Sequence, residues 1–170
     1  MLEELKTLNI DTVEFNPEFL SLVRPMYQEK FKRMSLEYDP SDRMDFKCEK
    51  MLLTSLEGVP QYVKGDFSCR DNQLTSLEGA PHTVGGDFDC TLNQLTSLEG
   101  APQSVGGVFS CSNNQLTSLE GVPKSVVGYF YCDHNPRLSD EQINHYREFL
   151  KGQHQECMVD GHYMPPENLK

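Results

Sequence analysis

Hydrophobic and polar positions alternate in a fixed cycle over most of this chain. A Phe-x-Cys triplet returns five times at an interval of 21 residues, as Phe46/Cys48, Phe67/Cys69, Phe88/Cys90, Phe109/Cys111 and Phe130/Cys132. Alternation over three residues predicts a short strand with Phe and Cys turned inward and the intervening residue outward. Three residues after the Cys stands Asn72, Asn93, Asn114 or Asn135, with Met51 in that place in the first coil. A buried Asn there is expected to hydrogen-bond backbone groups left over where the chain turns. Leu74/Leu77, Leu95/Leu98 and Leu116/Leu119 follow as core residues. Gly columns and Pro60, Pro81, Pro102 and Pro123 then make the return tight and extended, with no room for a full helix. The pattern predicts a repeat solenoid: one short parallel strand per 21-residue coil, an extended convex side, and coils stacked into a continuous core.

The ends depart from this cycle and are expected to cap it. Residues 1–44 do not repeat, and Asn16-Pro17 reads as an N-cap followed by Pro in the first helical position. Phe19, Leu20, Leu22 and Val23 give that helix an apolar face. Pro25 is expected to break or kink it, with a second helical piece from Met26 through Phe31 and Met34. The array occupies residues 45–138. In residues 139–170, Ser139-Asp140-Glu141-Gln142 has the form of a capping box, and Ile143, Tyr146, Phe149 and Leu150 give the helix that follows an apolar side. Past Gly152 a polar tail with Pro165-Pro166 is expected to be mobile.

Charge narrows the class of partner. A formal charge of -11 and a pI near 4.8 disfavour nucleic acid and anionic membranes, and favour a protein partner with a basic or mixed surface. The amino terminus lacks a basic segment followed by an apolar run, and no apolar stretch approaches the roughly 18 residues of a membrane span. The expected location is the cytoplasm. Five of the six cysteines fall in one inward column, where neighbouring Cβ vectors run parallel instead of converging, so reduced and inert thiols are expected.

Phe88-Asp89-Cys90-Thr91-Leu92-Asn93-Gln94-Leu95 resembles the L-x-L-x-x-N-x-L half of the leucine-rich repeat, with Phe and Cys in the first two Leu places. The match recurs through the array and is similar to the short, 21-residue repeats of bacterial and bacteriophage proteins. The resemblance implies a leucine-rich-repeat-like solenoid with a binding role on its concave sheet, and a host-cell cytoplasmic setting if the chain is phage-encoded. One departure stands out. The Leu expected three residues before Phe is Lys64, Gly85, Gly106 or Val127, with a Val column (Val63, Val84, Val105, Val126) one place earlier.

Subtracting the scaffold leaves the outward positions beside Phe and Cys. The expected protein-binding face comprises Asp66, Ser68 and Arg70; Asp87, Asp89 and Thr91; Ser110 and Ser112; and Tyr129, Tyr131 and Asp133. Tyr129 and Tyr131 fit an interface anchor or a junction with the carboxyl-terminal cap. Glu57, Glu78, Glu99 and Glu120 form a second acidic column, read as a solvated turn. His154, Cys157 and His162, with Cys132 and His134, lack paired metal-ligand spacing, so no metal or other cofactor is expected. The reading is a non-enzymatic interaction module, an adaptor or inhibitor. Its alternative is an acidic decoy that imitates nucleic acid before a basic binding protein.

Overall fold

A computed structural model describes residues 17–139, 141–144, 157–159 and 162–164. Helix α1 (Pro17–Glu37) precedes eleven strands: β1 (Phe46–Lys47), β2 (Tyr62–Val63), β3 (Phe67–Ser68), β4 (Thr83–Val84), β5 (Phe88–Asp89), β6 (Ser104–Val105), β7 (Phe109–Ser110), β8 (Ser125–Val126), β9 (Phe130–Tyr131), β10 (Cys157–Val159) and β11 (His162–Met164). The odd strands β1, β3, β5, β7 and β9 stack in parallel with Phe46 opposite Phe67, Phe67 opposite Phe88, and so on up the array. This is the expected parallel solenoid. The even strands β2, β4, β6 and β8 form a second parallel sheet through the Val column.

That second sheet accounts for the departure from the leucine-rich pattern. Val63, Val84, Val105 and Val126 are buried, whereas Lys64, Gly85, Gly106 and Val127 lie exposed. The inward role of the missing Leu has moved one residue back. Gly85 and Gly106 are fixed by the stacking itself, because a Cβ on either would collide with the carbonyl oxygen of the residue one coil below, Lys64 or Gly85.

The core is built of like residues on like. Phe46, Phe67, Phe88, Phe109 and Phe130 form a column with ring centroids 5.9, 5.2, 5.2 and 5.4 Å apart and planes within 13° of parallel. Each such pair adds about 0.5–1.5 kcal/mol beyond its buried area. Beside them the Cys column and the Leu columns are buried to nearly the same degree.

Two kinds of corner turn the chain. Gly58, Gly79, Gly100 and Gly121 take φ between 85° and 94°, closing turns in which Val59, Ala80, Ala101 and Val122 donate their N–H to Leu56, Leu77, Leu98 and Leu119. The other corner, two residues after each Cys, holds Lys50, Asp71, Leu92, Asn113 and His134 at φ between 52° and 57°. Left-handed backbone costs an L-residue about 1–2 kcal/mol, least for Asn and Asp.

The Asn column meets the backbone groups that this corner leaves over. Asn93 Nδ2 donates to Cys90 O and to Cys69 O one coil below, both at 3.1 Å, while its Oδ1 accepts the Leu74 N–H at 3.0 Å. Asn72, Asn114 and Asn135 repeat the arrangement. Every bridge ties two coils together. Met51 is the bottom of the column, and there Asn72 Oδ1 accepts both Met51 N–H and Leu53 N–H.

The expected break at Pro25 is absent: α1 continues through it as one 21-residue helix. A proline removes one backbone bond, but the turns on both sides are anchored by Val23, Tyr27, Phe31 and Met34, which are wholly or partly buried. Pro17 opens the helix as expected; Asn16 lies outside the described residues, and so do the side chains of Phe19, Leu20 and Leu22, whose backbone is part of α1. At the other end Ser139 Oγ accepts the Gln142 N–H and Gln142 Oε1 accepts the Ser139 N–H, so the capping box is formed. Residues 141–144 are helical and Ile143 packs on the core; Tyr146, Phe149 and Leu150 lie outside the described residues. The described part of the tail is strand, at Cys157–Val159 and His162–Met164. It supplies β10, parallel to β9, and β11, antiparallel to β10, which cover the edge that β9 leaves open.

Replacing Asn93 by Ala leaves two carbonyls and one N–H buried without a partner, and a loss of about 3 kcal/mol or more is expected in urea unfolding. Leu92→Asn is expected to act in the opposite direction, stabilising by up to about 1 kcal/mol, because Asn tolerates left-handed backbone and the Leu92 side chain is 39% exposed.

Candidate protein-binding face

The outward row of the Phe-x-Cys sheet reads Lys47, Ser68, Asp89, Ser110, Tyr131 up the stack. On one flank stand Asp45, Asp66, Asp87, Val108 and Tyr129, and on the other Glu49, Arg70, Thr91, Ser112 and Asp133. The sheet brings all eleven candidate residues onto one side of the solenoid, but it presents them unequally. Ser68, Thr91 and Ser112 are buried, at 4%, 8% and 5% exposure, because short side chains in a ladder are covered by longer neighbours above and below. Their contribution is shape. Arg70, Asp87 and Tyr129 are exposed, and Asp66, Asp89, Ser110, Tyr131 and Asp133 are half-buried.

Several of these side chains also hold the scaffold. Asp45 Oδ1 accepts the Asp66 N–H, Asp66 Oδ1 the Asp87 N–H, and Asp87 Oδ1 the Val108 N–H, at 2.9, 2.9 and 2.7 Å. The bond from the Asp66 N–H, helped by the Lys47 ammonium 2.9 Å from the other oxygen, holds Asp45 below the usual carboxylate range. Gly65, Gly86 and Gly107 leave room for these carboxylates, whose Oδ1 atoms would collide with a Cβ at those sites. The column ends at Val108, and Tyr129 follows with no carboxylate.

On the opposite flank Asp89 Oδ1 accepts the Thr91 N–H at 2.9 Å, and the Ser112 hydroxyl donates to Asp133. Burial alone would raise the Asp133 carboxyl, but the Ser112 hydroxyl and the His134 ring 2.6 Å away bring it below its ordinary value. Thr91 Oγ1 is buried without a hydrogen-bond partner.

The aromatic end is distinct. The Tyr129 and Tyr131 rings lie 6.2 Å apart at 40°, and Tyr131 is in register with Met158 of β10. The tyrosines therefore border the carboxyl-terminal strands and retain an outward surface, 39% exposed at Tyr129. Face chemistry runs from charged at the first coils to aromatic at the last.

The cysteine column faces away from this surface. Cys48, Cys69, Cys90 and Cys111 donate Sγ–H to carbonyl oxygens one coil above, at 3.4, 3.6, 3.3 and 3.3 Å. Burial pushes the Cys48 thiol up to about 12 and raises Cys69 and Cys90 well above the usual range. Cys157 is not a sixth member: it pairs in register with Phe130. Among the described residues no group of three His, Cys, Asp or Glu side chains is placed to hold a metal, and no helix is long and apolar enough to cross a membrane.

The sequence reading passed over the face of the second sheet. Tyr62, 62% exposed, meets His82 edge-on at 6.3 Å, and Thr83, Ser104 and Ser125 continue its row. Segments 60–64, 81–85, 102–106 and 123–127 contain no Asp or Glu in a chain with 26 of them, and that absence was the available signal. No protein-family model, no curated protein and no solved structure matches the chain.

The raised thiols give a pH-dependent outcome. A thiol protonated in the folded state and ionised in the unfolded one stabilises the fold below its unfolded pKa, near 8.5–9, and that contribution drains away as pH rises toward about 12. In a Cys157→Ser variant, the five column thiols are expected to resist alkylation at pH 8 until denaturant is added, and urea midpoints are expected to fall above about pH 9. Labelling of the folded chain at the rate of free cysteine contradicts this.

Proposed function

We propose that this chain is a non-enzymatic protein-interaction module of the short leucine-rich-repeat type. In this reading it is a phage-encoded adaptor or inhibitor that acts in the host cytoplasm by occluding or bridging a protein with a basic or mixed surface. One observation carries the reading. Within the same five strands the inward positions are identical from coil to coil, while the outward row changes from Lys47 through Ser68, Asp89 and Ser110 to Tyr131. A scaffold constraint explains the sameness inside. It places no such demand on the variation outside, which is what recognition of one partner requires.

Tyr131 and Tyr129 supply rigid contact area at low entropic cost, and Asp89 with Asp133 supplies charge for encounter with Lys or Arg. The acidic-decoy reading draws on the same charge, yet its Asp66 and Asp87 already spend one oxygen each on the backbone of the next coil. It is the weaker reading for that reason.

Affinity capture from a bacterial lysate, read by mass spectrometry, names the partner. Asp89→Lys and Tyr131→Ala are then each expected to weaken its binding by about tenfold or more with circular dichroism unchanged, although Asp89→Lys also loses the bond to the Thr91 N–H and lowers the melting temperature by a few degrees, on the order of one hydrogen bond. Equal binding by both variants overturns this face as the site. Added duplex DNA leaves capture intact under the interaction reading and abolishes it under the decoy reading.

A further inference from the structure

The outward side of the second sheet is tall at both ends and low between. Tyr62 at the first coil and Val127 at the fourth are 62% and 73% exposed, while Thr83 and Ser104 in the two middle coils are half-buried. Next to them Gly85 and Gly106 are kept bare by the coil below, whose carbonyl oxygens a Cβ would strike. A shallow seat therefore lies over β4 and β6, floored by two hydroxyls and exposed backbone. His82 marks one side of it. Its ring meets Tyr62 edge-on at 6.3 Å, so the column of Gln61, His82, Gln103 and Lys124, all exposed, borders the outward row.

Charge separates this face from the other. The outward positions of the Phe-x-Cys sheet carry Asp45, Glu49, Asp66, Asp87, Asp89 and Asp133, whereas those of the second sheet and its bordering column carry no acid, two lysines and a histidine. The lysines stand at opposite ends of the seat. Lys64 is in the first coil, where its ammonium donates to Ser41 O at 2.8 Å and keeps two further N–H groups, and Lys124 is in the fourth. Among the described residues no carboxylate lies within salt-bridge distance of either. Three strand spacings of about 4.8 Å set the two residues about 14 Å apart along the stack. On an extended chain rising about 3.3 Å per residue, two carboxylates four or five residues apart span that interval.

We propose that this face binds an extended acidic segment of a partner protein, with carboxylates on Lys64 and Lys124 and its main chain over Thr83, Ser104 and the two glycines. The sparse charge of the face decides the class of ligand. A nucleic acid or other dense polyanion brings a charge every few ångströms and is repelled by the remainder of a molecule of charge -11, while a peptide with two or three carboxylates matches the two lysines. Small hydroxyls and bare backbone allow a peptide main chain to approach closely, and Tyr62 adds rigid contact area at one end. The seat is on a different sheet from the Phe-x-Cys face and stands independently of the reading proposed for that face.

Fluorescence anisotropy of the intact protein tests it, with dye-labelled Gly/Ser peptides that carry two glutamates about five residues apart, or two glutamines in their place, and with a labelled oligothymidylate of similar length. The glutamate peptide is expected to bind at submillimolar concentration in about 20 mM salt, at least about fivefold tighter than the glutamine peptide. That margin is expected to vanish in about 500 mM salt, where the screening length falls to about 4 Å. Lys124→Glu is expected to remove the margin at low salt as well. Ser104→Tyr, which raises the floor without changing charge, is expected to weaken the glutamate peptide by a similar factor, and should it lose its native circular dichroism, Lys124→Glu decides the matter at an exposed position. Tyr131→Ala leaves binding unchanged, which separates this seat from the Phe-x-Cys face. No binding of the glutamate peptide, equal binding of the glutamine peptide at low salt, full binding by Lys124→Glu, loss of binding in Tyr131→Ala, or tighter binding of the oligothymidylate overturns the proposal.

Discussion

The bridge that each asparagine makes between coils is the interaction on which the rest of the solenoid depends. A chain that turns sharply after a two-residue strand leaves carbonyls and N–H groups facing inward, where water cannot reach them. Asn93 meets three of them at once and does so across the boundary between coils. A hydrophobic residue stands in that place only in the first coil, where Met51 has no coil below to bridge and Asn72 serves its N–H from above. With the bridges in place, the left-handed corner beside them is held, and strands of two residues pair in register. The phenylalanines then come to rest one above another.

A stack assembled from identical units has an unsolved problem at each end, and the two ends solve it differently. At the bottom, the open face of Phe46 is closed by the edges of Phe31 and Tyr38, with centroids 6.2 and 5.7 Å away and planes near perpendicular. Continuing the parallel column there would demand another strand; an edge contact needs only a helix. At the top, Gln142 serves the capping box and also donates Nε2 to Thr117 O at 2.6 Å, fastening the helical turn to the flank of the fourth coil. The backbone edge of β9 is met separately, by β10.

The architecture was legible because repetition turns single residues into columns. One Phe-x-Cys is uninformative, but five at a constant interval fix the period, the inward face and the strand, and one Asn becomes a ladder. Ser139 and Gln142 were legible for a different reason, since a capping box is local chemistry. The second sheet was less so: its strands are two residues long, with a single inward Val each, and that is too little alternation to read. Pro25 misled because helix propensity is local, whereas the packing of Val23 and Phe31 that carries the helix past it is not. On the candidate face, Ser68, Thr91 and Ser112 sit at outward positions by alternation yet are buried, and exposure of that kind is a property of the stack.

The same regularity limits what a repeat can do chemically. Duplication sets like beside like, as with Glu57, Glu78, Glu99 and Glu120, or Asp45, Asp66 and Asp87. Such columns make ladders, and a ladder of carboxylates is useful to the fold only when each member takes a backbone N–H from the next coil. Convergence of unlike groups on a small volume requires elements that are not copies of each other. In this chain that condition holds where α1 meets the first coil, with Arg24, Gln28 and Glu57 around one cleft, and where the last strand bearing Tyr129 and Tyr131 meets the carboxyl-terminal strands. The middle coils set the spacing of the molecule, and groups of unlike chemistry converge at its two junctions.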